Sequence, residues 1–511
     1  MAMPDAQLDT LEAKGLIRLA ASRPELEYLF RHWLVQDAAY GSLLKQERRE
    51  LHRLVGEALE ALYPDRGSEL AGVLAIHFSE AGDTQKAVDY LLAAGRFAMD
   101  RNAIAEAYSA FDRAATLLPP ATDDEDDAQR RRRVEIEFGR GRAGWTFRPI
   151  DDIIDDIEAV LPVAERLGDL DLIAPIHLAR AMARMGRGER ASDPEVKRSL
   201  ERVTEIGDEL HDPSLRALQL AVIGLNQVFT GPIREGVSAL EEAVPLMEQR
   251  QDFIGAAFAR GALAMGYARL GEFDKAEKAA QYATELAAGG DVIAQLDALI
   301  AESVVRSERG QLDEAIPIAQ ACVLRAEETG ATACVVISSW VLGDVFQRQG
   351  RLQEARQALQ RGNELALVVD RTFWRPTLQA WLGTSATVLG DFAAAEGSWE
   401  EPLATARSIG NHFGVAGILQ KRAEASAHRG DLEAALADFA ASSTILEELG
   451  TRPQLARVLR GWGETLRSAG RTAESEATLH RSLSLFEQMG LAPEAEAVRA
   501  TLNGEAQVPA G

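Results

Sequence analysis

The sequence predicts an all-α fold, an α-solenoid in which pairs of helices stack on one another to form a right-handed superhelix. Two observations lead to this prediction. A glycine recurs about every 40 residues between positions 231 and 470, and a second mark, Asp or Gly, alternates with it. The apolar residues between the marks follow helical spacing. Because a single pair cannot bury its own apolar stripe, neighbouring pairs must stack.

Each glycine of the first mark is followed five residues later by a small residue, most often alanine. We expect the glycine to end the first helix of a pair, helix A, in the left-handed conformation that glycine adopts without strain. We expect the Asp or Gln that follows some of these glycines to cap the second helix, helix B. The glycines, which are separated by 39 or 40 residues, are Gly231, Gly271, Gly310, Gly350, Gly390, Gly430 and Gly470.

The second mark is expected to end helix B. Between the marks, the small residue lets helices A and B approach closely, as at Ala276, Ala315 and Ala355. Helix A carries apolar residues at helical spacing, for example Leu342 and Phe346. The second marks are Asp252, Asp291, Gly330, Asp370, Gly410, Gly450 and Gly490.

The marks also divide the chain into regions. We expect regular repeats over residues 213–490 and irregular repeats over 121–212. Residues 491–511 are expected to hold the end of a C-terminal helix and a frayed tail, because the last residues have no apolar periodicity.

The charge balance argues against two classes of partner. The 511-residue chain carries a formal net charge of −24, which repels phosphate backbones and anionic lipid surfaces. We therefore expect neither a nucleic-acid partner nor a membrane. The two cysteines, Cys322 and Cys334, suggest small buried thiols, and they cannot form a disulfide framework. With no signal peptide at the first residues, a cytoplasmic location is expected.

The residue types that carry catalysis do not assemble into a motif. The eight histidines are scattered, without the spacing of a zinc site. No G-x-S-x-G elbow is present, and neither cysteine has a histidine context typical of a nucleophile. The sequence thus predicts a protein that is not an enzyme and has no cofactor or metal.

Several residues of the repeat carry a resemblance to a known family. Trp462-Gly463 and Leu342-Gly343 stand before the turn glycine, and Tyr267 takes an aromatic position nearby. In these features the pairs resemble tetratricopeptide repeats (TPRs). The period departs from the family, at about 40 residues against about 34. The longer period is similar to that of the superhelical arms of bacterial STAND-type signalling ATPases.

The first hundred residues differ from the array. Residues 16–20 and 26–30 show alternation on either side of a Ser-Arg-Pro-Glu turn, which predicts a β-hairpin. Helices are expected to follow at about 34–44, 47–62, 68–81, 84–99 and 103–118.

The run from Tyr28 to Tyr40, followed by Arg48-Arg49, resembles a junction in STAND-type ATPases, including cyclase-linked and LuxR-type regulators. There a winged helix ends and a helical sensor arm begins. The resemblance implies a winged-helix remnant over residues 1–50 and the first TPR-like helices over 51–120. It also places His32 where that family can contact nucleotide phosphates. No lysine here follows a glycine, so the phosphate-binding loop is absent, and we carry over neither nucleotide nor DNA binding.

The inner face of helix A is the candidate binding surface, because stacked A helices line the concave side of such a superhelix. Arginines in the groove of an acidic protein suit a peptide carboxylate or an acidic motif. Ordinary surface charge, with Trp340 partly in the core, is the alternative. The candidate residues are Trp340, Asp344, Gln347, Arg348, Gln420, Glu424, His428, Arg457, Arg460, Glu464 and Arg467.

The sequence therefore predicts a non-catalytic interaction or sensor module. It would bind a protein, a peptide or a small effector in the concave groove. The alternative is the regulatory half of a split STAND-type ATPase or transcriptional regulator, acting with a separate nucleotide-binding chain.

Overall fold

The computed structural model describes residues 5–21, 27–101, 103–122, 124–210, 213–249, 253–288, 292–369 and 373–503. Those residues are helical apart from one β-hairpin, which confirms the predicted fold class. The chain divides into two compact units. Unit 1 comprises Met1–Ala98 and Ser109–Ala121, and unit 2 comprises Met99–Tyr108 and Thr122–Gly511.

The N-terminal elements match those predicted. The two strands pair antiparallel, with Ile17 opposite Phe30 and Leu19 opposite Tyr28. The predicted turn at 22–25 lies outside the described residues. The elements are α1 Asp5–Ala13, β1 Ile17–Ala21, β2 Glu27–Phe30, α2 Trp33–Ser42, α3 Lys45–Leu62, α4 Gly67–Ala81, α5 Thr84–Asp100 and α6 Ile104–Leu117, with a 3-10 turn at Pro64–Arg66.

Unit 1 has a small core of its own. Leu74, Phe78 and Ala87 are buried together, and the ring of Phe78 stacks on that of Tyr90 with 5.5 Å between centroids. The first helix pairs are therefore held by a few large side chains.

In unit 2, helices A and B alternate from α11 onward, and helix B of one pair is split into two pieces, α20 and α21. The helices are α7 Asp127–Ala143, α8 Ile150–Leu167, α9 Leu170–Arg187, α10 Pro194–Leu210, α11 Pro213–Thr230, α12 Ile233–Gln249, α13 Phe253–Leu270, α14 Phe273–Ala287, α15 Val292–Glu308, α16 Leu312–Thr329, α17 Thr332–Arg348, α18 Leu352–Val368, α19 Arg375–Val388, α20 Phe392–Ala395, α21 Glu400–Ser408, α22 His412–His428, α23 Leu432–Leu449, α24 Arg452–Ser468, α25 Thr472–Gln488 and α26 Ala492–Leu502.

The turn glycines behave as predicted, with one exception. Six of the seven are left-handed, from Gly271 (φ +77°) to Gly470 (φ +75°). Gly231 was predicted wrongly, because it does not have a positive φ and is followed by Pro232. Among the second marks, Gly330, Gly410, Gly450 and Gly490 are left-handed, while Asp252, Asp291 and Asp370 lie outside the described residues.

The predicted caps of helix B hold only where the residue is Asp. The side chains of Asp391 and Asp431 accept hydrogen bonds from the backbone N–H groups of Ala394 and Ala434. Gln311 was predicted wrongly, because its longer side chain makes no cap hydrogen bond and instead contacts Glu314. A short carboxylate reaches the first free amides of the helix more readily.

Close approach of helices A and B is confirmed. Ala276, Ala315 and Ala355 are completely buried. A Cβ added at Gly343 would lie 2.3 Å from the side chain of Leu359 on helix B, so this glycine is needed for the packing. The two cysteines are buried and form no disulfide, and burial raises the pKa of Cys322 to about 11.

The A helices of unit 2 curl until distant ones meet. Helices α13 and α24 are in contact, as are α11 and α22. Across this closure Glu308 on α15 pairs with Arg457 on α24 at 2.6 Å, and Arg348 on α17 lies 3.7 Å from Glu494 on α26. The concave side of the array therefore forms a cavity.

Candidate functional site

The concave side of unit 2 contains a cavity of about 760 Å³. Its walls come mainly from the A helices α11, α13, α15, α17, α19, α22 and α24, together with α26. Cavities of roughly 300–1,000 Å³ are typical of small-ligand sites. The space therefore suits a small molecule or a short peptide segment.

The lining follows the repeat. One set of lining residues stands two positions before the turn glycine, and another stands six positions before it. Helix A thus presents the same register to the cavity in successive pairs. The first set is Phe229, Arg269, Glu308, Arg348 and Val388, and the second is Val304, Asp344, Thr384, Glu424 and Glu464.

The structure brings nine of the predicted site residues together around the cavity. They are Trp340, Asp344, Gln347, Arg348, Gln420, Glu424, Arg457, Arg460 and Glu464.

The other two predicted residues do not line the cavity. His428 is exposed in the last turn of α22. Arg467 donates a hydrogen bond to the backbone carbonyl of Thr501, so it ties the last helix to α24 instead of facing a ligand.

An aromatic wall, of which only Trp340 was predicted from the sequence, forms one side of the cavity. The Trp374 ring centroid lies 5.3 Å from that of Phe229 and 5.7 Å from that of Trp340. Aromatic rings supply large apolar area with defined geometry. The six residues of this aromatic wall are Phe229, Trp340, Phe373, Trp374, Trp381 and Phe413.

Most of the charged side chains that line the cavity are paired with a charge of opposite sign. Asp344 accepts a hydrogen bond of 2.9 Å from the indole N–H of Trp381. Burial alone would raise the pKa of the Asp344 carboxyl, but the charges of Lys421 and Arg348 and the indole hydrogen bond lower it below the ordinary value. Asp344 is therefore a carboxylate at neutral pH.

The pKa of Glu464 is shifted in the opposite direction from that of Asp344. Enclosure by the surrounding protein raises its pKa, nearby Arg460 opposes that rise, and Glu424 adds to it. Its side chain lines the cavity and is 49% accessible to solvent. The pKa of Glu464 therefore lies above the ordinary value of a glutamate, whereas that of Asp344 lies below the ordinary value of an aspartate.

Six buried polar atoms of lining residues have no hydrogen-bond partner. Buried polar groups in proteins are normally paired, so unpartnered ones in a cavity wall mark places where a ligand can bind. The donors are Arg269 Nε, Trp340 Nε1 and Arg457 Nε, and the acceptors are Gln347 Oε1, Gln454 Oε1 and Glu494 Oε2.

Two features are absent from the described residues. No group of three or more His, Cys, Asp or Glu side chains is arranged to hold a metal ion. No helix in that part of the chain has the length and apolar character to cross a bilayer.

Comparisons with known proteins agree with this architecture. The tetratricopeptide repeat family matches residues 414–488. A solved structure of a Rap protein complexed with Competence and Sporulation Factor is similar to 71% of this chain and 99% of its own, with a TM-score of 0.52 and 12% identity. The predicted TPR-like superhelix is therefore confirmed.

Two further proteins are similar over different extents. A STAND protein with a tetratricopeptide repeat sensor from Pyrococcus horikoshii has a TM-score of 0.42 and 14% identity, covering 89% of this chain and 75% of its own. The uncharacterized protein R02095 of Rhizobium meliloti (strain 1021) is 32% identical over 112 residues. This stretch is 21% of our chain and spans only 11% of that relative's length.

Proposed function

We propose that this protein is a cytoplasmic, non-catalytic sensor module that binds a small effector or a short peptide inside the cavity of unit 2. The cavity, with its aromatic wall and its unpartnered buried polar atoms, carries the proposal. The Rap protein of similar fold is complexed with Competence and Sporulation Factor, and a bound factor is what we propose here as well.

The closed array supports a sensing role. A ligand in the cavity would touch helices from the middle and the end of the array at once, such as α17 through Trp340 and α26 through Glu494. It would then bind the closed array more tightly than an opened one and shift the population toward closure. Outer surfaces of the superhelix would report that shift to a protein partner in signal transduction.

Tryptophan fluorescence offers a direct test. Three of the seven tryptophans, Trp340, Trp374 and Trp381, line the cavity. In a screen of small metabolites and short peptides, we expect hits that change this fluorescence and raise the unfolding temperature.

A blocking variant locates the hits. Val388→Trp fills space at the cavity wall, and Leu324→Trp places the same side chain at a position that is 60% exposed. We expect binding to be lost in the first variant and retained in the second. Hits that bind both variants equally would refute the cavity as the site.

A second candidate function is the regulatory half of a split STAND-type ATPase. The apolar surface of unit 1 favours it, because Trp33, Leu34, Leu44 and Leu62 are 61–71% exposed. Large exposed apolar patches mark interaction sites. A neighbouring gene that encodes a phosphate-binding loop should supply the partner chain. Co-purification of the two chains, lost in Leu34→Ser/Leu44→Ser, is the expected result, and absence of a complex would exclude this candidate.

A further inference from the structure

One cation in the cavity wall lacks the counter-charge that the others have. Arg269, in the last turn of α13, is 1% exposed. Its guanidinium lies between two rings, 4.2 Å from the centroid of Phe413 and 4.9 Å from that of Phe229. A fully desolvated charge in this position is costly unless something pairs with it.

The protein supplies little to pair with Arg269. One nitrogen donates to the backbone carbonyl of Val228, and Nε has no partner. No carboxylate oxygen of the described residues lies within 4.0 Å of this guanidinium. The carboxylate that acts on it from a distance, Glu308, is already bound by Arg457 and Gln454.

The other buried arginines of the cavity each have a carboxylate within 4.0 Å. Arg457 is paired with Glu308 at 2.6 Å, and Arg348 lies 3.7 Å from Asp344 and from Glu494. Burial lowers the pKa of Arg269 to about 10, which still leaves it protonated at neutral pH. Among the buried arginines that line the cavity, it is the one with no carboxylate within ion-pair distance in the described part of the chain.

Stacking on aromatic rings does not by itself account for this arrangement. Arg351 also lies over a ring, 4.5 Å from the centroid of Phe346, but it is 40% exposed and paired with Glu354. An arginine held only for its ring contact can keep both water and a carboxylate. Arg269 has neither, and it faces a cavity instead.

We infer that Arg269 is the anion-binding element of the cavity and takes the carboxylate of a ligand whose aromatic or apolar part lies against Trp340 and Trp374. This inference rests on the proposed function and adds the chemical class of the ligand. The planar guanidinium matches a carboxylate in a two-point hydrogen bond. The aromatic wall adjoins it, since Phe229 contacts both the guanidinium and the Trp374 ring.

Two sources share this chemistry, a free aryl-alkanoic acid and the C-terminal residue of a peptide. We would therefore titrate two probe pairs by calorimetry. One pair is 3-phenylpropionate and 3-phenylpropanamide, and the other is acetyl-Ala-Ala-Phe with a free or an amidated C-terminus. We expect the carboxylate member of at least one pair to bind at least about 10-fold more tightly than its amide, as a buried charged hydrogen bond allows.

Three variants assign the effect. Arg269→Gln should remove the preference for the carboxylate while changing the affinity for the amide less than about 2-fold. Arg269→Lys keeps the charge and should retain part of the preference. Arg351→Gln is the matched control and should behave as the unmodified protein. Circular dichroism and the unfolding midpoint establish that each variant is folded.

The outcomes distinguish this inference from the proposed function on which it rests. Preference in one pair alone supports the inference and identifies the source of the carboxylate. Equal affinities within both pairs, a preference that survives Arg269→Gln, or no binding by any of the four probes would each overturn it. Library hits that are lost in Val388→Trp would still stand in those cases, because they test the cavity without regard to charge.

Discussion

The two units of this protein treat their apolar residues in opposite ways. In unit 2, described side chains such as Phe439, Phe486 and Leu479 are at most 2% exposed, because each pair covers the stripe of the next. Unit 1 is far smaller, yet most of the exposed large apolar residues lie there, between Leu19 and Ile76.

This difference indicates where each unit can interact with a partner. Unit 2 directs aromatic and charged side chains into a cavity of about 760 Å³, which suits recognition of a small molecule or a short segment. Unit 1 presents apolar groups outward, which suits contact with another protein surface.

Removing a large side chain should be costly in unit 2 and harmless in the exposed part of unit 1. Phe439 is 2% exposed, and Phe439→Ala should lower the free energy of unfolding by about 4 kcal/mol through lost burial and a residual cavity. Trp33 is 71% exposed, and Trp33→Ala should change that free energy by less than about 0.5 kcal/mol. Chemical denaturation measures both, and similar losses would contradict the contrast.

The closure of unit 2 depends on a buried ion pair. Arg457→Leu leaves Glu308, which is 7% exposed, without its cation, and should cost about 3 kcal/mol. Replacing both partners with leucine should restore much of the loss, because no uncompensated charge remains.

An exposed pair serves as the control for that closure. Arg481 and Glu447 also meet, at 2.6 Å, but their side chains are 51% and 41% exposed. Arg481→Leu should therefore cost less than about 1 kcal/mol in the same denaturation experiment. A loss as large as that of Arg457→Leu would show that burial of the pair is not what matters.

The exposed apolar side chains of unit 1 should bind a hydrophobic dye. We expect Trp33→Ser/Leu34→Ser/Leu44→Ser in unit 1 to reduce the fluorescence of bound dye by about half, since it removes much of the exposed patch. The matched set in unit 2, Leu324→Ser/Leu367→Ser/Val368→Ser, removes scattered side chains and should reduce it far less. Equal reductions would place the patch elsewhere.

The position of a residue relative to the turn glycine determines which lining residues could be predicted from the sequence. The residues predicted to lie on the inner face of three A helices include nine that line the cavity. Extending one such position, two residues before each turn glycine, would also have indicated Phe229, Arg269 and Glu308. Local periodicity was therefore sufficient for the direction in which these side chains point.

The curvature of the helix array in unit 2 could not be predicted from this periodicity. Whether Arg457 reaches Glu308, 149 residues away, depends on the sum of small rotations between successive pairs. Periodicity also missed the break in helix B between α20 and α21, where Gly397 is left-handed and Trp399 is buried. These features follow from contacts between pairs, and a one-dimensional pattern does not record them.

A last prediction concerns pH and the interior of unit 2. His177 is 4% exposed and lies 2.9 Å from Glu165. Burial lowers its pKa below the ordinary value of 6.5, although Glu165 partly opposes this. The unfolded chain therefore binds the proton more tightly than the folded one. The stabilising contribution is present above pH 6.5 and is lost as the pH falls toward the lower folded pKa.

The expected slope is small, because one proton accounts for no more than about 1.4 kcal/mol per pH unit. His177→Gln should flatten the decline in the free energy of unfolding below pH 6.5, measured by denaturation at a series of pH values. In unit 1, His77 is also held below its ordinary pKa, first by burial and then by His52, so His77→Gln should flatten the decline as well. Since His77 is only half-buried, the flattening it produces should be the smaller of the two, and a larger one would mean that the interior of unit 2 is wetter than its packing indicates.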